Sequence, residues 1–150
     1  MKLAEALSLR KDCQKKIEQL KGRITSNVKV QEGDEPSEDP AELMKEMDRA
    51  HKQLQDLICR INEANIRIKG KDGRSMTAML AERDVLKSRI GALREIYNEA
   101  AGNMNRYSRS EIKMVSTVDA KALHKQIDKL SAQLRELDIE IQSMNFSSEL

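Results

Sequence analysis

Histidines, cysteines and clustered carboxylates carry most protein chemistry, and this chain holds few of them in working arrangements. His51 and His124 are its only histidines. Asp48 precedes His51 by three residues, so the two share a helix face and make half of the carboxylate-x-x-His unit that di-metal bundles use twice. The second half is missing, because Lys121 stands three residues before His124. The spacing therefore predicts polar rim histidines and no di-iron centre. No Ser-His-acid order, Cys-x-x-Cys pair or glycine-rich phosphate loop is present. Cys13 has lysines around it, but lysine recurs all along that stretch, which argues against a specially activated thiol. Cys13 and Cys59 are expected to be reduced and to pack inside a helical core.

The densest set of chemically capable side chains is the stretch 28–40. It holds Glu32, Asp34, Glu35, Glu38 and Asp39 and both prolines of the chain, Pro36 and Pro40. Carboxylate oxygens are the ligands Ca²⁺ prefers, yet the spacing does not match an EF-hand loop and the prolines intrude. No metal and no cofactor are expected. Asp39-Pro40-Ala41-Glu42 reads as a helix start: Asp39 caps the free amides, Pro40 suits the first helical position, and Glu42 completes a capping box. Residues 28–31 alternate apolar and polar, which predicts a short strand.

A second break covers residues 103–118, turn-like and basic around Arg106, Tyr107 and Arg109, then strand-like from Glu111 through Lys113 to Thr117. Strands at about 28–31 and 111–117 would pair as a small two-stranded ribbon. A lone ribbon is marginal in water, so it should lean on helices or on another subunit. The polar end built from 28–40 and 103–117 is the candidate recognition site, with Glu32, Asp34, Glu35, Arg106, Tyr107, Arg109, Glu111 and Lys113 as its residues. Asp34 or Glu35 is expected near Arg106 or Arg109.

The rest of the chain must position that end, and it reads as helix. Of 150 residues, 39% are hydrophobic, 35% charged and only 2% aromatic, which suits long helices with charged outer faces and not a sheet sandwich. A core almost without rings is built from Leu, Ile, Met and Ala, and the eight Met make it adaptable. Apolar residues three and four apart mark four helices. The first runs from about Leu3 to Ser26 with Leu3, Ala6, Cys13, Ile17, Leu20 and Ile24 inward, and Asn27 ends it by tolerating left-handed geometry. The second runs from about Pro40 to Ile68 on Leu43, Met47, Ala50, Leu54, Leu57, Ile61, Ala64 and Ile68. Gly70-Lys71-Asp72-Gly73 makes a tight reversal, and the third helix covers about Met76 to Ala101. The last, from about Asp119 to Ser143, carries the cleanest heptad, followed by a short tail that the lone Phe146 docks. The fold class is mainly α: one domain over 1–150, an antiparallel bundle of four long heptad-patterned helices with the small ribbon at one end. Doubled stripes such as Leu57/Ile58 and Ile139/Ile141 leave apolar positions for a second subunit, so a homo-oligomer is expected.

Net charge is +2, too small to predict a nucleic-acid partner. The first helix is cation-rich and the acidic stretch follows at once, so mutual attraction is simpler than an external polyanion. Nothing at the N-terminus resembles an export signal, and no apolar run reaches a membrane span. The chain is expected to be cytoplasmic, with no membrane partner.

Three motifs carry a resemblance: Lys2-Leu3-Ala4-Glu5-Ala6-Leu7; Val30 to Pro36 with Glu38-Asp39-Pro40; and Arg106-Tyr107-Ser108-Arg109-Ser110-Glu111-Ile112-Lys113. Through them the chain resembles, nearly end to end, a septicolysin-labelled family of small uncharacterised bacterial helical proteins. That resemblance implies no catalytic residues. Its label implies a pore-forming toxin, against which stand the lack of an amphipathic membrane hairpin and of an aromatic anchor. The reading at this point is a non-enzymatic, self-assembling helical protein with a polar recognition end. An enzyme or metal site formed between subunits is the alternative, and pore formation the third.

Overall fold

A computed structural model describes residues 1–102, 112 and 114–150. Four helices account for most of them: α1 (Leu3–Asn27), α2 (Pro40–Arg67), α3 (Met76–Ala101) and α4 (Ala120–Ser147). No helix is long and apolar enough to cross a membrane. Two compact units divide the chain, Met1–Lys69 with Met144–Leu150, and Gly70–Ser143.

In the first unit α1 and α2 run antiparallel. Leu3, Ala6, Cys13 and Leu20 are buried on α1, and Leu43, Ala50, Leu57, Ile61 and Ala64 on α2. These are the inward positions of the heptads, and the remaining seam residues, such as Arg10, Ile17, Ile24, Met47 and Leu54, are half-buried beside them. Burial of such a stripe, and not helix propensity, supplies most of the stability of helices of this kind. Lys16–Glu46 at 2.8 Å ties the two helices along one flank, and Arg23–Glu38 ties α1 to the loop that leads into α2.

The chain ends close this unit. Leu3 N–H donates to the Ser148 carbonyl at 3.0 Å and Leu150 N–H to the Met1 carbonyl at 2.9 Å, an antiparallel bridge centred on Lys2 and Glu149. Lys2 Nζ reaches Glu149 Oε1 at 2.8 Å, the Met1 ammonium reaches Oε2 at 3.0 Å, and Arg67 donates to the Glu149 carbonyl at 3.1 Å.

In the second unit, Ile90 of α3 packs with Ile127 and Leu130 of α4, with Leu86, Leu93, Tyr97 and Leu134 around them. Ser75 caps α3 by accepting from Ala78 N–H at 3.2 Å. The reversal before it closes on Gly70, whose N–H donates to Arg74 O at 2.8 Å. A Cβ at Gly70 would sit 2.8 Å from Met79 Sδ and 2.9 Å from Glu140 Oε1, so the ends of these two flexible side chains lie close over the turn and would have to move aside for a larger residue. Glu140 in turn accepts from Lys71 N–H at 2.9 Å.

Four expectations are corrected. Among the described residues there is no strand: 28–31 leaves α1 through Val28 in helical geometry and then turns. The ribbon of 28–31 with 111–117 is therefore absent on its first side, while Glu111 and Lys113 on the second lie outside the described residues. Asn27 does not end α1 by left-handed geometry, since no residue but glycine has positive φ among those described. Glu42 pairs with Lys45 at 2.6 Å and not with the cap of α2. The tail is shorter than expected, because α4 continues to Ser147. With Met144 and Asn145 turned inward and buried, the 100° step per residue carries Phe146 outward, where it is 69% exposed.

Candidate functional site: the loop between α1 and α2

The loop is built from the end of α1 outward. Three consecutive polar side chains bond back onto the preceding turn of α1, to carbonyls that also accept the helix's own N–H groups: Thr25 Oγ1 donates to Lys21 O at 2.8 Å, Ser26 Oγ to Gly22 O at 3.0 Å, and Asn27 Nδ2 to Arg23 O at 2.9 Å. Asn27 also faces the other way, its Oδ1 accepting from Glu38 N–H at 3.1 Å. One amide therefore ties the last turn of α1 to the returning segment of the loop.

Between those anchors the chain turns once, with Asp34 N–H donating to Gln31 O at 2.9 Å. Gly33 occupies the third position of that turn at φ +92°, which an L side chain rarely adopts. Asp39 then caps α2, accepting from Ala41 N–H at 2.9 Å, with Pro40 at the first helical position as expected.

Glu38 is the acid that the basic first helix captures. Arg23 donates Nε to Glu38 Oε2 at 3.0 Å and Nη2 to Oε1, the fork-on-carboxylate geometry that strengthens both bonds. That hydrogen bonding holds the Glu38 carboxyl below the usual carboxylate range and pushes the Arg23 guanidinium further up. Lys16 does the same to Glu46 through its hydrogen bond. The pair borders an open groove of about 510 Å³ lined by Glu18, Gln19, Gly22, Arg23, Ser26, Asn27 and Glu38.

The expected attraction between α1 and the acidic stretch thus holds for Arg23 and Glu38, which lay in the two charge runs but outside the candidate set. The candidate acids behave differently. Glu32, Asp34 and Glu35 are exposed, and none forms an ion pair among the described residues. Arg106, Tyr107, Arg109, Glu111 and Lys113 lie outside the described residues. Among the described residues no three of His, Cys, Asp and Glu are grouped to hold a metal ion. His51 is exposed, with Nδ1 2.9 Å from Met47 O. His124 stands 3.3 Å from Asp128 and meets Tyr97 edge to face at 5.5 Å. Cys13 is buried as expected, whereas Cys59 is exposed, because it falls one position past the Ile58 side of the α2 seam. What the loop offers is a rigidly anchored turn presenting three solvated carboxylates, an arrangement suited to binding cations or a basic surface.

The model of a family of unknown function, DUF6847, matches residues 10–150. The chain belongs to this family. The match takes in the whole α1–α2 loop and all of α2, α3 and α4. A crystal structure of a functionally unknown conserved protein from Corynebacterium diphtheriae is similar at 35% identity and a TM-score of 0.93, over 100% of this chain and 98% of that one. Comparison with curated proteins found no match. These findings do not support the septicolysin label: the DUF6847 family is one of unknown function and the similar crystal structure is of a functionally unknown protein.

Proposed function

We propose that this DUF6847 chain is a non-enzymatic helical protein that assembles with itself, its four helices forming one antiparallel bundle domain. The observation that carries the reading is the set of large apolar side chains left on helix exteriors. On α4, Ile139 and Phe146 stand seven residues apart and are 70% and 69% exposed. On α2, Met44, Ile58 and Ile66 are exposed and spread over about 80° of the helix, away from the buried Leu43–Leu57–Ile61 face. Aligned apolar residues outside a core mark surfaces that another protein covers.

In the same reading the polar loop is the recognition surface. Glu32, Asp34 and Glu35 supply the acids, and the basic residues Arg106, Arg109 and Lys113, with Tyr107 and Glu111, complete the set drawn from the sequence. The test of self-assembly is solution mass by light scattering across a concentration series. A mass that rises above one chain supports the reading; a single-chain mass throughout removes it.

A further inference from the structure

The reversal before α3 holds the one dipeptide of this chain that rearranges readily without an enzyme. Asp72-Gly73 is the only place where an Asp or Asn precedes a glycine. Without a Cβ, a glycine lets its amide nitrogen swing onto the carboxyl carbon of the residue before it. The Gly73 nitrogen then bonds to Asp72 Cγ, while the amide proton and the carboxyl hydroxyl leave together as water. A succinimide ring remains. Water adds back to the ring, and opening at the main-chain carbonyl leaves isoaspartate, its backbone rerouted through Cβ and Cγ of residue 72. Only the neutral acid can give up its hydroxyl as water, so an ionised carboxylate resists the first step.

The fold restrains both reacting groups. Gly73, at φ +82°, donates its N–H to Gly70 O at 3.0 Å, which ties the nucleophile into the turn. One residue holds both oxygens of the Asp72 carboxylate: Oδ1 accepts from the Arg74 backbone N–H at 3.0 Å, and Oδ2 accepts from Arg74 Nε. Bonds of this kind favour the charged form. The Arg74 N–H first, and its guanidinium second, hold the carboxyl below the usual carboxylate range. Glu82 of α3 takes the guanidinium from its other side. Of the remaining charges at the turn, Glu140 of α4 accepts from Lys71 N–H at 2.9 Å, and Lys71 adds a second cation.

We propose that Asp72-Gly73 is a latent isoaspartate site and that Arg74 is the residue that keeps it latent. The proposal is independent of self-assembly. Isoaspartate lengthens the backbone by one carbon inside a turn closed by Gly70 N–H on Arg74 O at 2.8 Å. That bond and the one from Lys71 N–H to Glu140 both depend on the spacing of residues 70–74, so the rearrangement releases the turn from α4. Arg74 is therefore a guard on the connection that sets α3 in place.

The test ages the full chain at neutral pH and measures isoaspartate by enzymatic methyl transfer, with peptide mapping to locate it. The native parent is expected to form it at residue 72, more slowly than the same chain unfolded in urea. Arg74→Ala, its fold checked by circular dichroism, should form it several times faster than the native parent. Arg74→Lys keeps the charge and should pull the rate back towards the parent. An Asp72→Asn background separates charge from turn shape, because asparagine closes the same ring by losing ammonia and needs no carboxyl proton. There Arg74→Ala should leave the rate nearly unchanged. Equal rates for native and unfolded parent, or isoaspartate that accumulates first elsewhere, overturn the latent site. An Arg74→Ala rate equal to the parent's overturns the guard. Equal acceleration in the Asp72→Asn background assigns the effect to a loosened turn and overturns the charge argument.

Discussion

The clasp between the chain ends invites a test of what holds it, buried carbon or surface charge. Leu3 is fully buried, while the Glu149 side chain is 62% exposed even though it meets both Lys2 and the Met1 ammonium. Removing the Leu3 side chain beyond Cβ deletes buried methylenes and leaves a cavity, a change that costs about 2–5 kcal/mol. For a chain of this size that corresponds to a fall in melting temperature of roughly 4–20 °C. Glu149→Ala removes ion pairs that water and salt already screen, so its effect is the smaller one and fades at high ionic strength. The backbone bonds Leu3–Ser148 and Leu150–Met1 remain available in both variants. Thermal and urea unfolding of parent, Leu3→Ala and Glu149→Ala at low salt and at about 1 M NaCl, where the Debye length is near 3 Å, separate the two terms. The expected result is a large, salt-independent loss for Leu3→Ala and a small loss for Glu149→Ala that salt removes. A Leu3→Ala penalty below about 1 kcal/mol, the low end even for conservative core truncations, would refute the burial argument. So would a Glu149→Ala penalty that exceeds it at high salt.

Two further outcomes follow from the same contacts. Glu38, Glu46 and Glu149 are held below their ordinary range by hydrogen bonds from Arg23, Lys16 and Lys2, and Asp72 by the backbone and side chain of Arg74. A carboxylate depressed in the folded state contributes stability that is complete above its unfolded pKa and is lost as pH falls through the folded one. Melting temperature should therefore hold down to about pH 4.5 and drop below it, more shallowly in Glu38→Gln/Glu149→Gln; an equally steep drop in that variant would refute the assignment. The cysteines report on the core: a thiol reagent should titrate Cys59 in the native protein and reach Cys13 only on unfolding. Fast reaction of both would mean that the α1–α2 seam opens readily.

The helices were legible because a heptad states which side of each turn faces inward, whatever lies there. Leu43, Ala50, Leu57, Ile61 and Ala64 are buried where the 3–4 spacing puts them, and α3 runs from Met76 to Ala101 as expected. The short apolar-polar alternation of Val28 to Gln31 carried less information. Four residues of period two need a partner to become a strand, and Asn27, bonded to both Arg23 and Glu38, instead draws the chain back across the helix end. Phe146 failed for a related reason. Lone aromaticity suggested burial, but its phase on α4 is set by Met144, two positions earlier.

Polar pairing was the least legible layer, and the geometry explains why. Charge composition showed that a basic helix precedes an acidic loop, yet it could not say which acid is captured. Distance along the chain would nominate Glu32 or Asp34 for Arg23, fewer residues away than Glu38. The turn at Gly33 reverses that order, because it swings the nearer acids outward and returns Glu38 to the α1 flank one residue before the Asp39 cap. The same fold that neutralises Glu38 leaves Glu32, Asp34 and Glu35 solvated. The recognition role proposed for the loop therefore rests on those three carboxylates, while Arg23, Asn27 and Glu38 set their position. Substitution at Asn27 should act on binding only through the shape of the turn, and charge reversal at the three exposed acids should act on it directly.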